Sequence, residues 1–294
     1  MNRRIVRLTG LLAAGALALA VVGPVSAATP QKLKAVVAVD TGAPAAGKAW
    51  VRVLHGSPDA PSVDVYVGAN LATAAIVPDL SGLTFGEISK YVEVPAGTYG
   101  VKVCATGAPT VCPIEVAALA LAADTKYTVA ASKPLASLNT PDVFVDDTPT
   151  PDGQAQVRVV HLSADTPAVD VLTQAGASIG IDGLTYPNRA PDPGYASFPA
   201  GSYDLKVCAS APVAPTGTLC PIDPGAKTLE AGQAYSVFAV GSLAATLPAA
   251  TAPPSDVVGT TDEAPTSSTS ILLLVIAAAA FVGGLGLVTS RARR

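Results

Sequence analysis

The chain has 294 residues, of which 50% are hydrophobic and only 14% charged, with a net charge of −4. Six of its 18 basic residues sit at the two ends and all 22 acidic residues lie between them, so the central region carries 12 basic against 22 acidic residues, a net of −10. That balance excludes a nucleic-acid partner, which needs clustered Lys and Arg to meet phosphate, and it excludes docking on anionic lipid.

The N-terminus reads MNRRIVRLTGLLAAGALALAVVGPVSAATP. Arg3, Arg4 and Arg7 precede an uncharged apolar core, Leu8 to Val22, and small residues at Val25-Ser26-Ala27-Ala28 offer a cleavage site. This predicts a secretory signal peptide over 1–27 and a mature chain starting near Ala28. Residues 28–47 read as an N-terminal linker.

The stretch VRVLHGSPDAPSVDVYV, 51–67, returns as VRVVHLSADTPAVDVL, 157–172. Further anchors repeat in order: GLTF and GLTY, PAGTY and PAGSY, a pair of cysteines whose second member is followed by Pro-Ile, and a Tyr at 127 and 235. Two homologous domains follow, at 48–139 and 154–245, joined by an acidic, proline-rich linker at 140–153. Within each, VRVLH, VDVYV, KYVEV, TYGVKV and YTVAA are short, β-branched or aromatic runs with a period of two. PAGTY reads as a tight turn. EVAALALAAD, Glu115 to Asp124, has helical propensity; its counterpart DPGAKTLEAG does not, so an irregular crossover is expected in both. The fold class is all-β: two tandem β-sandwiches of Ig-like or transthyretin-like type.

Four cysteines in an exported chain predict two disulfides. Three pairings are possible, and the repetition favours Cys104–Cys112 and Cys208–Cys220. In TYGVKVC the alternation places Tyr99, Val101 and Val103 inward, so Cys104 is expected outside with Lys102 and the bridges near the surface.

Strand parity places Val51, Val53 and His55 on one face, taken as the core, with Arg52 and Leu54 opposite. Asp64 and Tyr66 likewise oppose Val63, Val65 and Val67. A catalytic His55–Asp64 dyad is therefore disfavoured, and an outward Arg52–Asp64 cross-strand pair, with Arg158–Asp170 in the second copy, is expected instead. His55, Ser57 and Asp59, or His161, Ser163 and Asp165, could mimic a hydrolase. A triad, however, needs members converging from separate elements beside oxyanion donors. These motif residues (His55, Asp59, Asp64, His161, Asp165 and Asp170) are read as structural, with Ser and Asp bonding local backbone. No nucleophile elbow, P-loop or HExxH appears, so no catalytic residue, cofactor or metal is assigned. One alternative is a surface hydrolase using the His55 and His161 loops. Another is calcium-dependent association through Asp142, Asp146, Asp147 and Asp152. Sugar platforms are scarce, and Trp50, the only Trp, is expected to pack at a strand start.

Residues 246–270 read as an Ala/Pro/Thr/Ser stalk. Ile271 to Val288 follows without a charge; as a helix it spans about 27 Å, close to the bilayer hydrocarbon. Arg291, Arg293 and Arg294 in the tail, 289–294, favour a cytoplasmic C-terminus. LPAAT, Leu247 to Thr251, departs from the LPxTG sorting pattern, leaving wall attachment a minor alternative.

The duplicated stretch and the PAGTY and PAGSY turns resemble the domain-of-unknown-function 4397 family, whose members are largely exported or surface proteins of prokaryotes, often carrying the domain in tandem. Copy two departs where Leu172 replaces the Tyr66 equivalent. The resemblance implies fold and location and transfers no chemistry. The expectation is a non-enzymatic, single-pass bacterial cell-surface protein, with an extracellular protein or glycan as partner.

Overall fold

A computed structural model describes residues 27–148, 153–211 and 219–247. The expected leader, most of the stalk, the apolar segment at 271–288 and the basic tail lie outside the described residues. Among those described, no helix is long and apolar enough to cross a membrane.

The described chain is all-β. In order, its strands are β1 (Lys34–Val39), β2 (Lys48–His55), β3 (Val63–Gly68), β4 (Ala75–Ile76), β5 (Val92–Pro95), β6 (Gly97–Ala105), β7 (Ile114–Leu121), β8 (Thr125–Ala131) and β9 (Asp142–Val145). The second half continues with β10 (Ala155–Leu162), β11 (Val169–Thr173), β12 (Ser178–Leu184), β13 (Arg189–Ala190), β14 (Ala196–Phe198), β15 (Gly201–Tyr203), β16 (Leu205–Ala209), β17 (Lys227–Leu229) and β18 (Ala234–Val240). One helical turn, α1 (Leu243–Thr246), follows. The runs VRVLH, VDVYV, KYVEV, TYGVKV and YTVAA fall within or overlap β2, β3, β5, β6 and β8, as their alternation predicts.

In the first half, one sheet runs β5-β2-β8-β9 and a second β4-β3-β6-β7. Val53 and Val129 from one meet Val63, Val65, Val101, Val103 and Ile114 from the other in a single buried cluster. The second half repeats this with β1-β18-β10-β13, β14 also on β10, against β12-β11-β16; Val159 and Ala239 meet Val169, Val171 and Val207. The PAGTY turn is closed by its own Tyr: the Tyr99 hydroxyl donates to the Pro95 carbonyl at 2.7 Å, and Tyr203 does the same to Pro199 at 2.7 Å.

The linkers expected at 28–47 and 140–153 are instead structural. Each contains a strand, and each strand completes the sheet of the other repeat. β1 pairs antiparallel with β18, the last strand of repeat 2, while β9 pairs antiparallel with β8, the last strand of repeat 1. Val39-Asp40 and Val145-Asp146 occupy matching places, because each Val carbonyl and each Asp receives the guanidinium of Arg52 or Arg158. The true repeat therefore starts at the leading strand, and the two repeats exchange those strands.

The halves also share a third core. Leu54, Ala130 and Phe144 from the first half pack with Val36, Ala38, Val160, Leu162, Phe238 and Val240. Leu54, Leu162 and Phe238 are fully buried, each a contribution of roughly 1.5–3 kcal/mol. Central strands covered on both faces cannot show polar alternation, and every residue of β10 is buried. This corrects the outward placement of Arg52 and Arg158: the face opposite the valines is covered by the other repeat, and both arginines are buried.

Two local expectations are overturned as well. Ile114–Leu121 is strand β7, its register fixed by β6, so cross-strand pairing overrides the helical propensity of its alanines. Its counterpart holds the short strand β17.

Candidate functional site

Both disulfides form as the local pairs Cys104–Cys112 and Cys208–Cys220. Their placement differs from the expected surface position: Cys104 and Cys208 are buried, while Cys112 and Cys220 are half-buried.

Most polar groups of the duplicated motif are hydrogen-bonded within the protein, the histidines locally and the aspartates to distant loops. His55 is fully buried, with Nε2 2.8 Å from the Pro61 carbonyl; His161 makes the same contact to Pro167 at 3.1 Å. A ring nitrogen facing a carbonyl carries the proton, so both imidazoles are Nε2–H tautomers. Burial pushes both His pKa values below the ordinary value, a backbone carbonyl bond only partly offsetting it. Asp59 accepts the Leu135 amide at 2.7 Å. Asp165 accepts the amides of Leu243 and Ala244 and the Ser242 hydroxyl, capping α1. Burial raises the pKa of Asp165, but Ser242 and these amides outweigh it and the net direction is down.

Asp64 does not meet Arg52. Strands β2 and β3 lie in different sheets, and Asp64 takes the amides of Gly82 at 2.8 Å and Gly107 at 3.1 Å, pinning two loops. Asp170 takes the Gly183 amide and the Ser210 hydroxyl. The expected Arg52–Asp64 and Arg158–Asp170 pairs are replaced by these contacts.

The two copies differ at the serine. Ser163 Oγ reaches the Gly241 carbonyl at 2.9 Å and Asp165 at 3.1 Å, and its amide donates to His161 Nδ1 at 3.3 Å. In the first copy, Ser57 Oγ and His55 Nδ1 are buried without a hydrogen-bond partner. In neither loop does a histidine nitrogen receive its serine hydroxyl, the contact a nucleophile–base pair requires. The loops meet across a small pocket of about 90 Å³ lined by Pro58, Asp59, Ala164, Asp165, Ser132 and Ser242.

The larger electrostatic feature is one the motif did not announce. Arg52 pairs with Asp40 and Arg158 with Asp146, all four side chains at most 2% exposed. Arg52 Nε donates to Thr128 at 2.8 Å, and Arg158 Nε to Ser236 at 2.6 Å. Asp146 also accepts from Thr128 and from Tyr91, both at 2.7 Å, while Asp40 accepts from Ser236 and from Tyr195, the latter at 2.7 Å. Each guanidinium lies over an aromatic ring, Arg52 at 4.5 Å from Tyr91 and Arg158 at 5.0 Å from Tyr195. Thus each carboxylate holds an arginine of its own repeat and the hydroxyls of the other.

Burial opposes the charge on Arg158, but Asp146, Tyr195 and Asp40 together outweigh it and raise that pKa. Burial drives both Tyr91 and Tyr195 upward, keeping them neutral donors. Lys126 closes one end, its Nζ on the Asp40 and Gly42 carbonyls and the Thr148 hydroxyl; burial holds its pKa below the ordinary lysine value. Trp50 stacks on Tyr91 at 5.4 Å and donates to Glu93 at 3.0 Å. Its ring lies 2.9 Å from where a Cβ on Gly42 would stand, and Gly42 has φ +107°, so this bend between β1 and β2 accepts only glycine.

This clasp answers the calcium alternative in part. Asp146 is committed to Arg158, and Asp142 accepts the Ser132 hydroxyl. Asp152 lies outside the described residues. Among the described residues no group of three or more His, Cys, Asp or Glu side chains is placed to hold a metal ion. Asp40, Tyr91, Tyr195 and Ser236 were missed from sequence. The available signal was the spacing of VAVD and VFVD, which match the separation of the two VRV triplets.

The described chain is thus all-β, with a duplicated histidine loop and a buried Arg–Asp clasp between its repeats. Residues 49–172 match the family described as "Domain of unknown function (DUF4397)", the family that the duplicated motif resembles. No curated protein matches the chain significantly. Among solved structures it is similar to a leucine-rich repeat protein from Bacteroides thetaiotaomicron VPI-5482, at 13% identity over 67% of this chain and 26% of that one, TM-score 0.18. It is also similar to the Bacillus anthracis TIE protein, at 13% identity over 66% of this chain and 34% of that one, TM-score 0.19. The chain thus spans about a quarter to a third of those structures.

Proposed function

We propose that the chain is a non-enzymatic, membrane-anchored cell-surface protein of bacterial type, whose two Ig-like sandwich modules serve adhesion, envelope structure or ligand presentation. Its partner is an extracellular protein or glycan. The observation that supports this reading is the commitment of the motif: both histidines hold a backbone carbonyl through Nε2, and Asp59, Asp64, Asp165 and Asp170 accept backbone amides. Two disulfides suit an oxidising compartment. The leader-like N-terminus and the charge-free segment at 271–288 supply export and anchoring.

Protease shaving of intact cells tests location. Digestion should release an ectodomain fragment while a C-terminal tag stays with the membrane; a protein protected until lysis overturns the reading. For the absence of catalysis, His55→Ala/His161→Ala should lower the melting temperature. A variant that kept its melting temperature and lost turnover on a hydrolase substrate panel would establish the enzyme instead.

A further inference from the structure

The face joining the repeats is built from the same positions of each. Arg52 and Arg158, Asp40 and Asp146, Tyr91 and Tyr195, and Thr128 and Ser236 make matching contacts. Around them, Leu54 and Val160 occupy equivalent places in the shared core, as do Ala38 and Phe144. Self-complementary use of one patch by both partners is the isologous geometry of homodimers.

Here both partners belong to one chain, yet most of what joins them is not covalent. β1 lies on β18 through six paired residues, Lys34 against Val240 to Val39 against Tyr235. The backbone passes from repeat 1 to repeat 2 only through the segment between β9 and β10. Repeat 2 of any molecule therefore offers the same β18 edge, the same Arg158 and the same apolar face to repeat 1 of any other.

We propose that this face is a homotypic docking surface whose partner is a second copy of the chain. Repeat 1 of one molecule closes on repeat 2 of another through the same β1–β18 ladder and the same Arg–Asp clasp, and the second pair of repeats closes reciprocally. Strand β9 keeps its place on β8 of its own chain. Every contact of the single molecule is regained, which makes exchange a low-cost route to a dimer. Tethering sets the balance: an effective concentration on the order of millimolar within the chain leaves roughly a tenth of chains exchanged at about 100 µM. Molecules crowded in one plane would exchange further.

The test uses two full-length variants. One carries Val37→Cys and the other Val237→Cys, positions opposite each other across the β1–β18 ladder. Neither can form the new crosslink alone. Mixed in equal amounts at about 100 µM in total, loosened by a brief denaturant step and returned to oxidising buffer, they should give a reducible two-chain adduct in roughly a twentieth of molecules, because half of the exchanged dimers pair unlike chains. Val143→Cys mixed with Val237→Cys is the control, because Val143 is as exposed as Val37 but sits on β9 opposite Val129. Ala35→Cys with Ala239→Cys, another facing pair, repeats the measurement with a smaller change of side chain. Adduct from the facing pairs but not from the control supports exchange. No adduct from either facing pair, or equal adduct in the control, overturns it. Neither outcome depends on where the protein resides.

Discussion

Asp146→Ala removes one carboxylate from beneath two sheets and leaves the charge on Arg158 facing, among the described residues, no partner of opposite sign within pairing distance. The guanidinium retains the Val145 carbonyl at 2.9 Å and the Ser236 hydroxyl at 2.6 Å, which solvate it without neutralising it. Breaking a buried pair from one side costs about 3–5 kcal/mol. The Thr128 and Tyr91 hydroxyls lose their acceptor in addition, at roughly 1 kcal/mol each, although relaxation recovers part of this. A net loss of about 4 kcal/mol is expected, and at ~2–4 °C per kcal/mol for a fold of this size the melting temperature should fall by roughly 8–16 °C. Urea unfolding followed by Trp50 fluorescence is the assay, since that ring stacks on the Tyr91 that Asp146 holds. Adding Arg158→Met should return most of the loss, because the stranded charge goes with it. A loss below about 1 kcal/mol, or no recovery in the double variant, would show that the clasp is solvated and the reasoning wrong.

The two histidines predict a pH dependence with a definite sign. Burial holds both folded-state values below the ordinary histidine value of 6.5, so the unfolded chain takes up protons first as the pH falls. Stability is complete above that value and is lost as pH drops towards the folded values, by up to about 1.4 kcal/mol per pH unit for each histidine. Urea midpoints between pH 8 and 5 should fall less steeply in His55→Gln/His161→Gln, and equal slopes would refute this. Ser57→Ala removes a buried hydroxyl with no partner and should be neutral or stabilising. Ser163→Ala breaks bonds to Gly241 and Asp165 and should cost about 1–2 kcal/mol; equal effects in chemical denaturation would contradict the asymmetry. Replacing either disulfide pair by alanines opens a loop with a cysteine separation of 8 or 12 and should cost roughly 2.5–3 kcal/mol, measured by melting against wild type.

Much of the fold was legible because side chains facing a sandwich interior alternate with those facing away. Val51 and Val53, or Val63 and Val65, announce their face without any knowledge of partners. Alternation cannot say what covers the second face, however, and that is where the reading of Arg52 failed. A guanidinium on the face opposite the valines looks solvated until a second sheet is placed over it. The clue was present in VRVVHL, whose apolar run is too continuous for a strand with one wet side. β1 and β9 were hidden for a related reason: each leading strand is paired with the terminal strand of the other repeat, so local sequence holds no record of its neighbour. At the motif, the tie of His55 to Pro61, six residues on, is local as its loop chemistry suggests, whereas Asp59 takes the amide of Leu135, 76 residues away, which no local reading supplies. Asp64 is the same case, since its amide partners come from Gly82 and Gly107, two loops away.

The exchange of leading strands has a bearing on how such chains can lengthen. Each sheet with a last strand accepts one leading strand and one covering sheet, and two repeats satisfy each other completely. A third unit appended to the chain would find both stacking faces taken and would carry a naked sheet of its own. Arrays on this plan are complete only at even copy number, and an odd member must seek its mate in another polypeptide.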